Sequence, residues 1–121
     1  MSALARPKAL FAMESPQLAS ELFGAAARAD LERFVRLDDL VLTPDLPSVP
    51  PSTADTEILI TGWGAPALDG PTLAHWPRLR AVVHAAGSVK RLVTPAVWER
   101  GIRVSSAAGA NAVPVAEYTL A

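Results

Sequence analysis

Apolar residues in this chain fall into short unbroken runs rather than one long periodic stripe. KALFAM (8–13), EILITGW (57–63), LRAVVHAA (79–86) and IRVSSA (102–107) are each of strand length, and their bounding polar, Gly and Pro residues predict four buried strands. The intervening segments carry helix signals. Ser15 before Pro16 supplies an N-cap oxygen and a proline at the first helical position, and Leu18, Leu22 and Ala26 recur at helical spacing, predicting a helix through about Ala29. LDGPTLAHW (68–76) predicts a short helix stopped by Pro77. Thr94 is placed to N-cap a helix that starts at Pro95, has Arg100 in its last turn and stops at Gly101. ERFVRL (32–37) alternates loosely and predicts a further short strand, whereas residues 43–56 hold four prolines without periodicity and read as a surface loop.

Strands that are apolar along their whole length and alternate with helices imply a parallel sheet covered on both faces. The predicted fold class is therefore α/β, a flavodoxin-like or Rossmann-like open parallel sheet in a three-layer α/β/α arrangement. Neither flank of the 43–56 loop could build a core alone, so residues 1–121 read as a single domain, and no internal repeat competes with that reading.

Composition narrows the function classes. Half of the 121 residues are hydrophobic and 19% are charged, which suits a globular, soluble chain. Eleven Lys and Arg balance twelve Asp and Glu for a net charge of −1, with no basic stripe, so a nucleic-acid partner is not expected. Cysteine is absent, which removes disulfides and thiolate metal sites. The N-terminal apolar stretch is broken by Arg6, Pro7 and Lys8, and no later run approaches about 18 apolar residues, so neither a signal peptide nor a membrane span is expected and the reading is cytoplasmic.

In open parallel sheets, ligands bind beyond the carboxyl ends of the strands. That directs attention to residues 14–16, 63–67, 84–93 and 107–113. Gly87 and its small neighbours follow a buried strand directly and could let backbone amides approach an anion, or could form a turn without a ligand. Gly87, Ser88 and Lys90 lack the spacing of a phosphate loop, and no G-x-G-x-x-G occurs to seat a dinucleotide. His75 and His84 have no neighbours at metal-ligand spacing, so no metal is expected. His84 and Trp63 end strands and could wall a cleft, while Trp63, Trp76 and Trp98 read most simply as packing groups. Asn111 N-caps a helix over 112–121 or faces a ligand; Pro114 at the third helical position offers the cap no N–H.

LRAVVHAAGSVKRLVTPAVWERGIRVSSAAGANAVPVAEYTLA, within a resemblance spanning about 57–121, resembles the substrate (catalytic) domain of the D-isomer-specific 2-hydroxyacid dehydrogenases. It shares the ordered strand, glycine loop, helix ending E-R-G-I, strand, then N-x-x-x-V-A-E and a helix. The resemblance implies that Ala86, Gly87 and Ser88 hold a substrate carboxylate, chiefly through the Gly87 and Ser88 amides, that Asn111 points into the same site, and that Val115 lies near a nicotinamide ring. The family loop usually reads G-x-G-x-D-N; here Ala86, Gly87, Ser88, Val89, Lys90 and Arg91 stand in its place. Lys90 and Arg91 either attract a larger anion or form a solvated surface pair.

The family's catalytic Arg, Glu and His and its cofactor loop come later than Ala121, so the resemblance implies a chain inactive alone, without a catalytic residue of its own. It would supply the N-terminal part of an enzyme that interconverts 2-oxo and 2-hydroxy acids with NAD or NADP, and 112–121 would begin the helix leading to the cofactor domain. Homo-oligomerisation through that apolar C-terminal helix is also expected. A stand-alone flavodoxin-like binding or regulatory module remains the alternative; a phosphoacceptor receiver fits poorly because Met13 and Glu14 lack the paired acids that hold magnesium.

Overall fold

The computed structural model describes residues 6–86 and 88–106. Among these, five strands form one parallel sheet: β1 (Lys8–Ala12), β2 (Arg36–Leu42), β3 (Ile58–Thr61), β4 (Ala81–His84) and β5 (Arg103–Ser106), in the order β2-β1-β3-β4-β5. Helices α1 (Pro16–Leu22) and α2 (Ala25–Leu31) connect β1 to β2, α3 (Gly70–Leu73) connects β3 to β4, and α4 (Pro95–Glu99) connects β4 to β5. Because β2 lies on one side of β1 and β3 to β5 on the other, right-handed crossovers send the two helix groups to opposite faces. This is the flavodoxin-like α/β arrangement.

Two apolar clusters follow from the period-2 alternation of the strands. Leu10, Ala12, Leu59 and Val82 face α3 and α4 and pack with Leu73, Trp76, Val97 and Ile102. Ala9, Phe11 and Ile60 face α1 and pack with Leu18, Ala19 and Val35. On this second face the described helices leave β4 and β5 open: Val83 is 40% exposed, and Arg103 and Ser105 are exposed beside it.

The structure departs from the sequence pattern at four places. The single helix expected from Pro16 to about Ala29 is two, divided by Phe23 and an extended Gly24 that caps α2; of the three residues at helical spacing only Leu18 is buried, while Phe23 turns in to meet Phe11 at 5.3 Å. The strand expected at 32–37 lies instead at 36–42. Residues 32–35 are the turn that closes α2, with Phe34 and Val35 N–H groups both bonded to Leu31, and pairing starts where the Arg36 N–H donates to Pro7 at 2.9 Å. Helix α3 is shorter than the expected 68–76, starting after Asp69, whose carboxylate accepts from the Thr72 N–H at 2.9 Å. Thr94 occupies the cap position of α4, but its hydroxyl donates at 2.7 Å to the Leu68 carbonyl and not to the helix.

The loop over 43–56 is held down by a short 3-10 turn at Pro51–Thr53. Trp76, fully buried, donates its indole N–H to Thr53 at 3.2 Å, and Thr53 donates onward to the Pro50 carbonyl at 2.7 Å. No helix among the described residues is long and apolar enough to cross a membrane. The self-association expected through 112–121 falls outside the described residues.

Candidate functional site

At the carboxyl end of the sheet the last residues of three adjacent strands stand in one row, Thr61, His84 and Ser106, because the register pairs Thr61 with His84 and His84 with Ser106. Residues directly opposite in neighbouring strands share a face. Thr61 is fully buried, and its hydroxyl lies 2.7 Å from Nδ1 of His84, which is itself only 6% exposed. Burial holds the His84 pKa below the ordinary imidazole value, and a hydrogen bond with the Ser88 backbone pulls the other way. The tautomer that carries its proton on Nε2 accepts the Thr61 hydroxyl proton at Nδ1.

Above this row opens a cleft of about 500 Å³ lined by Gly62, Trp63, Gly64 and Ala65 after β3, by His84, and by Ser88 and Lys90 to Leu92 after β4. Both sides are braced. Gly64 takes φ 87° and passes so close to the segment after β1 that an added Cβ would sit 2.7 Å from Glu14 Cα, while the Glu14 N–H donates to the Trp63 carbonyl at 2.6 Å. Opposite, the Lys90 N–H donates to Ser88 Oγ at 3.3 Å, the Leu92 and Val93 N–H groups both donate to Val89, and the Leu68 N–H donates to Leu92 at 2.8 Å. The Ser88 to Leu92 turn is thus tied to the α3 side of the domain.

Trp63 is 65% exposed and forms a wall of the cleft, and Trp98 is 60% exposed on α4; of the three tryptophans expected to be packing groups, only Trp76 is in the core. The expected site residues divide three ways. Trp63, His84 and Ser88 come together at the cleft; Ala86 is buried and does not line it; Gly87, Asn111 and Val115 lie outside the described residues. His75 is exposed beside Trp76, away from this end. Among the described residues no group of three or more His, Asp or Glu gathers closely enough to hold a metal ion.

Three lining or supporting groups carried no individual weight in the sequence: Thr61, Gly62 and Gly64. A polar residue closing an otherwise apolar strand, followed by G-W-G, is the signal that could have marked them. Among the described residues the lining contains two cations, Lys90 and Arg91, and no carboxylate.

No family model matches the chain, and no curated protein matches it. Among solved structures it is similar to the D-lactate dehydrogenase of Aquifex aeolicus complexed with NAD and lactic acid, at a TM-score of 0.57 and 19% identity. The alignment covers 81% of this chain and 27% of that protein. A likeness at this identity is one of fold, and the chain spans little more than a quarter of that protein's length.

Proposed function

We propose that this chain forms the substrate-binding domain of an NAD(P)-dependent 2-hydroxyacid dehydrogenase and supplies one wall of its cleft. The observation that carries this reading is the cleft itself: a hollow at the carboxyl ends of β3 and β4 whose described lining is cationic, floored by the Thr61–His84 pair. Such an end of an open parallel sheet is where ligands bind. A 2-oxo or 2-hydroxy acid would place its carboxylate at the Ser88 turn, with Trp63 excluding water on the opposite side and His84 fixed beneath it by Thr61. Similarity in fold to a D-lactate dehydrogenase and the ordered motifs of residues 57–121 support the same reading.

The described residues do not fit a dinucleotide. Strand β1 runs into Glu14, Ser15 and Pro16 without a glycine-rich turn; Pro16 has no N–H to offer, and the Leu18 N–H at the start of α1 is already taken by Ser15 Oγ at 3.0 Å. Pyrophosphate binding at a helix start needs those amides free. In this reading NAD or NADP and the groups that move hydride and proton belong to a further unit, and this chain binds and orients the acid.

NMR titration of the ¹⁵N-labelled chain with 2-oxopentanoate is the direct test. Saturable shifts at millimolar ligand, centred on the Trp63 indole and the Ser88 and Arg91 amides, are expected, with no saturable response to NADH. Shifts that avoid the cleft, or tight NADH binding, would refute the reading; copurifying flavin would favour a stand-alone flavodoxin-like module.

A further inference from the structure

The two cations of the cleft set its charge against that of the chain. The whole sequence carries −1, yet among the described residues the lining carries Lys90 and Arg91 with no acid. Among the described residues the ion pairs are Lys8 with Asp38 and Asp55, Arg33 with Asp30, and Arg80 with Glu57; neither Lys90 nor Arg91 takes part in one. At the opposite end of the sheet Lys8 and Arg80 are each met by a carboxylate. Here the turn tied by Val89 and Ser88 holds two consecutive cations at a hollow whose low-dielectric walls strengthen their field. Size points the same way. About 500 Å³ is within the roughly 300–1,000 Å³ that holds drug-sized ligands and far exceeds what a three-carbon acid fills.

We propose that the ligand of this cleft carries a second anionic group distal to its 2-oxo acid head, a carboxylate or a phosphate that meets Lys90 and Arg91. The inference rests on the substrate-domain reading and names its substrate class. The head sits at Ser88, the apolar stem runs along Trp63, and the distal anion meets the two cations. Arg91 can engage that group through two parallel N–H donors, while Lys90 acts as a point charge.

The matched acids 2-oxopentanoate and 2-oxoglutarate share a carbon count and differ only in the terminal carboxylate, so their affinities isolate the second charge. In titrations of the intact chain, 2-oxoglutarate should bind about tenfold more tightly, the ordinary scale of a charge-assisted contact. The Lys90→Ala/Arg91→Ala variant should weaken both acids but 2-oxoglutarate far more, reducing the preference to within about twofold, and about 0.5 M salt should erode the preference in the unaltered chain. Both side chains are exposed, so the variant should keep its circular dichroism spectrum. Phosphohydroxypyruvate forms the second arm: tighter binding than 2-oxoglutarate assigns the distal group as a phosphate, weaker binding as a carboxylate. Equal affinity for the matched acids, or a preference that survives in the double variant, would overturn the inference while the substrate-domain reading stands. If neither acid perturbs Trp63 or Ser88, that reading falls and takes this inference with it.

Discussion

Replacing Thr61 by valine removes one oxygen from a position with no solvent access and leaves the side-chain shape nearly unchanged. The hydroxyl's partner is Nδ1 of His84 at 2.7 Å, in a residue that is 6% exposed, so no water can readily take its place. An orphaned buried acceptor costs about 1–3 kcal/mol, and burying a methyl in place of the hydroxyl returns less than about 1 kcal/mol, so Thr61→Val should cost about 1–2 kcal/mol. For a domain of this size that is a fall in Tm of about 4–8 °C. His84→Leu leaves the Thr61 hydroxyl orphaned in turn. The double variant removes both orphans, so it should be about 1–2 kcal/mol more stable than the sum of the single losses implies. Urea unfolding followed by circular dichroism at about pH 7.5 measures all four corners of the cycle. An independent readout is the His84 titration by NMR: losing a donor that favours the neutral ring should move its pKa up toward the ordinary imidazole value. Single losses that add within about 0.3 kcal/mol, or a neutral Thr61→Val, would refute the pairing as the device that fixes His84 under the cleft.

Three further outcomes follow from particular contacts. Gly64→Ala and Gly101→Ala both put a side chain at positive φ, 87° and 69°, but only the first meets backbone, at 2.7 Å; urea unfolding should show about 1 kcal/mol lost at Gly101 and at least twice that at Gly64, and equal costs would contradict the close approach to Glu14. Trp76→Phe should cost about 2–4 kcal/mol in the same assay and speed proteolysis within 43–56, since it opens a void at a fully buried site and removes the indole bond to Thr53. The depressed His84 pKa, caused first by burial, makes the unfolded chain take the proton first as pH falls through its ordinary value of 6.5; the His84 contribution should therefore be absent near pH 7.5 and destabilise toward about pH 5, with a slope of at most about 1.4 kcal/mol per pH unit. Unfolding free energies of His84→Gln at those two pH values should lack this component, and an unchanged pH dependence would count against it.

Four of the five strands were legible because each is apolar and lies near its expected span, and the alternation with helices was enough to give a parallel sheet. Strand β2 was not, for a physical reason: as an edge strand it pairs only with β1, its residues are largely half-buried or exposed, and two of them are Asp38 and Asp39. A strand was expected at 32–37, four residues too early, because Asp38 and Asp39 break the apolar pattern on a strand where Asp38 meets Lys8 at 3.0 Å. The break at Gly24 was hidden by apolar spacing that runs on through it, and the outward turn of Leu22 depends on Phe23 finding Phe11, a contact between distant parts of the chain. At the cleft, His84 and Trp63 were legible as strand-end residues. Thr61 was not, since its importance comes from the β3–β4 register, which no local pattern carries.

Charge is handled differently around Lys8 and at the cleft, and that contrast bears on where binding can occur. At the amino end Lys8 is largely enclosed, with Asp55 at 2.8 Å, Asp38 at 3.0 Å and the Ser52 carbonyl at 2.9 Å. Its pKa is raised, chiefly by the hydrogen bond to Asp55, and Asp55 is lowered by the same bond, so both remain charged and satisfied at neutral pH. Nearby Arg80 meets Glu57 at 3.3 Å. A ligand anion arriving at Lys8 would have to displace carboxylates already in place, and the cost of leaving them unpaired would offset what it gained. At the carboxyl end the described lining offers cations without carboxylates, an imidazole held by Thr61 and an exposed indole. An incoming acid there displaces only water from Lys90 and Arg91, so the carboxyl end of β3 and β4 is a place where this fold can exchange solvent for an anion at a net gain.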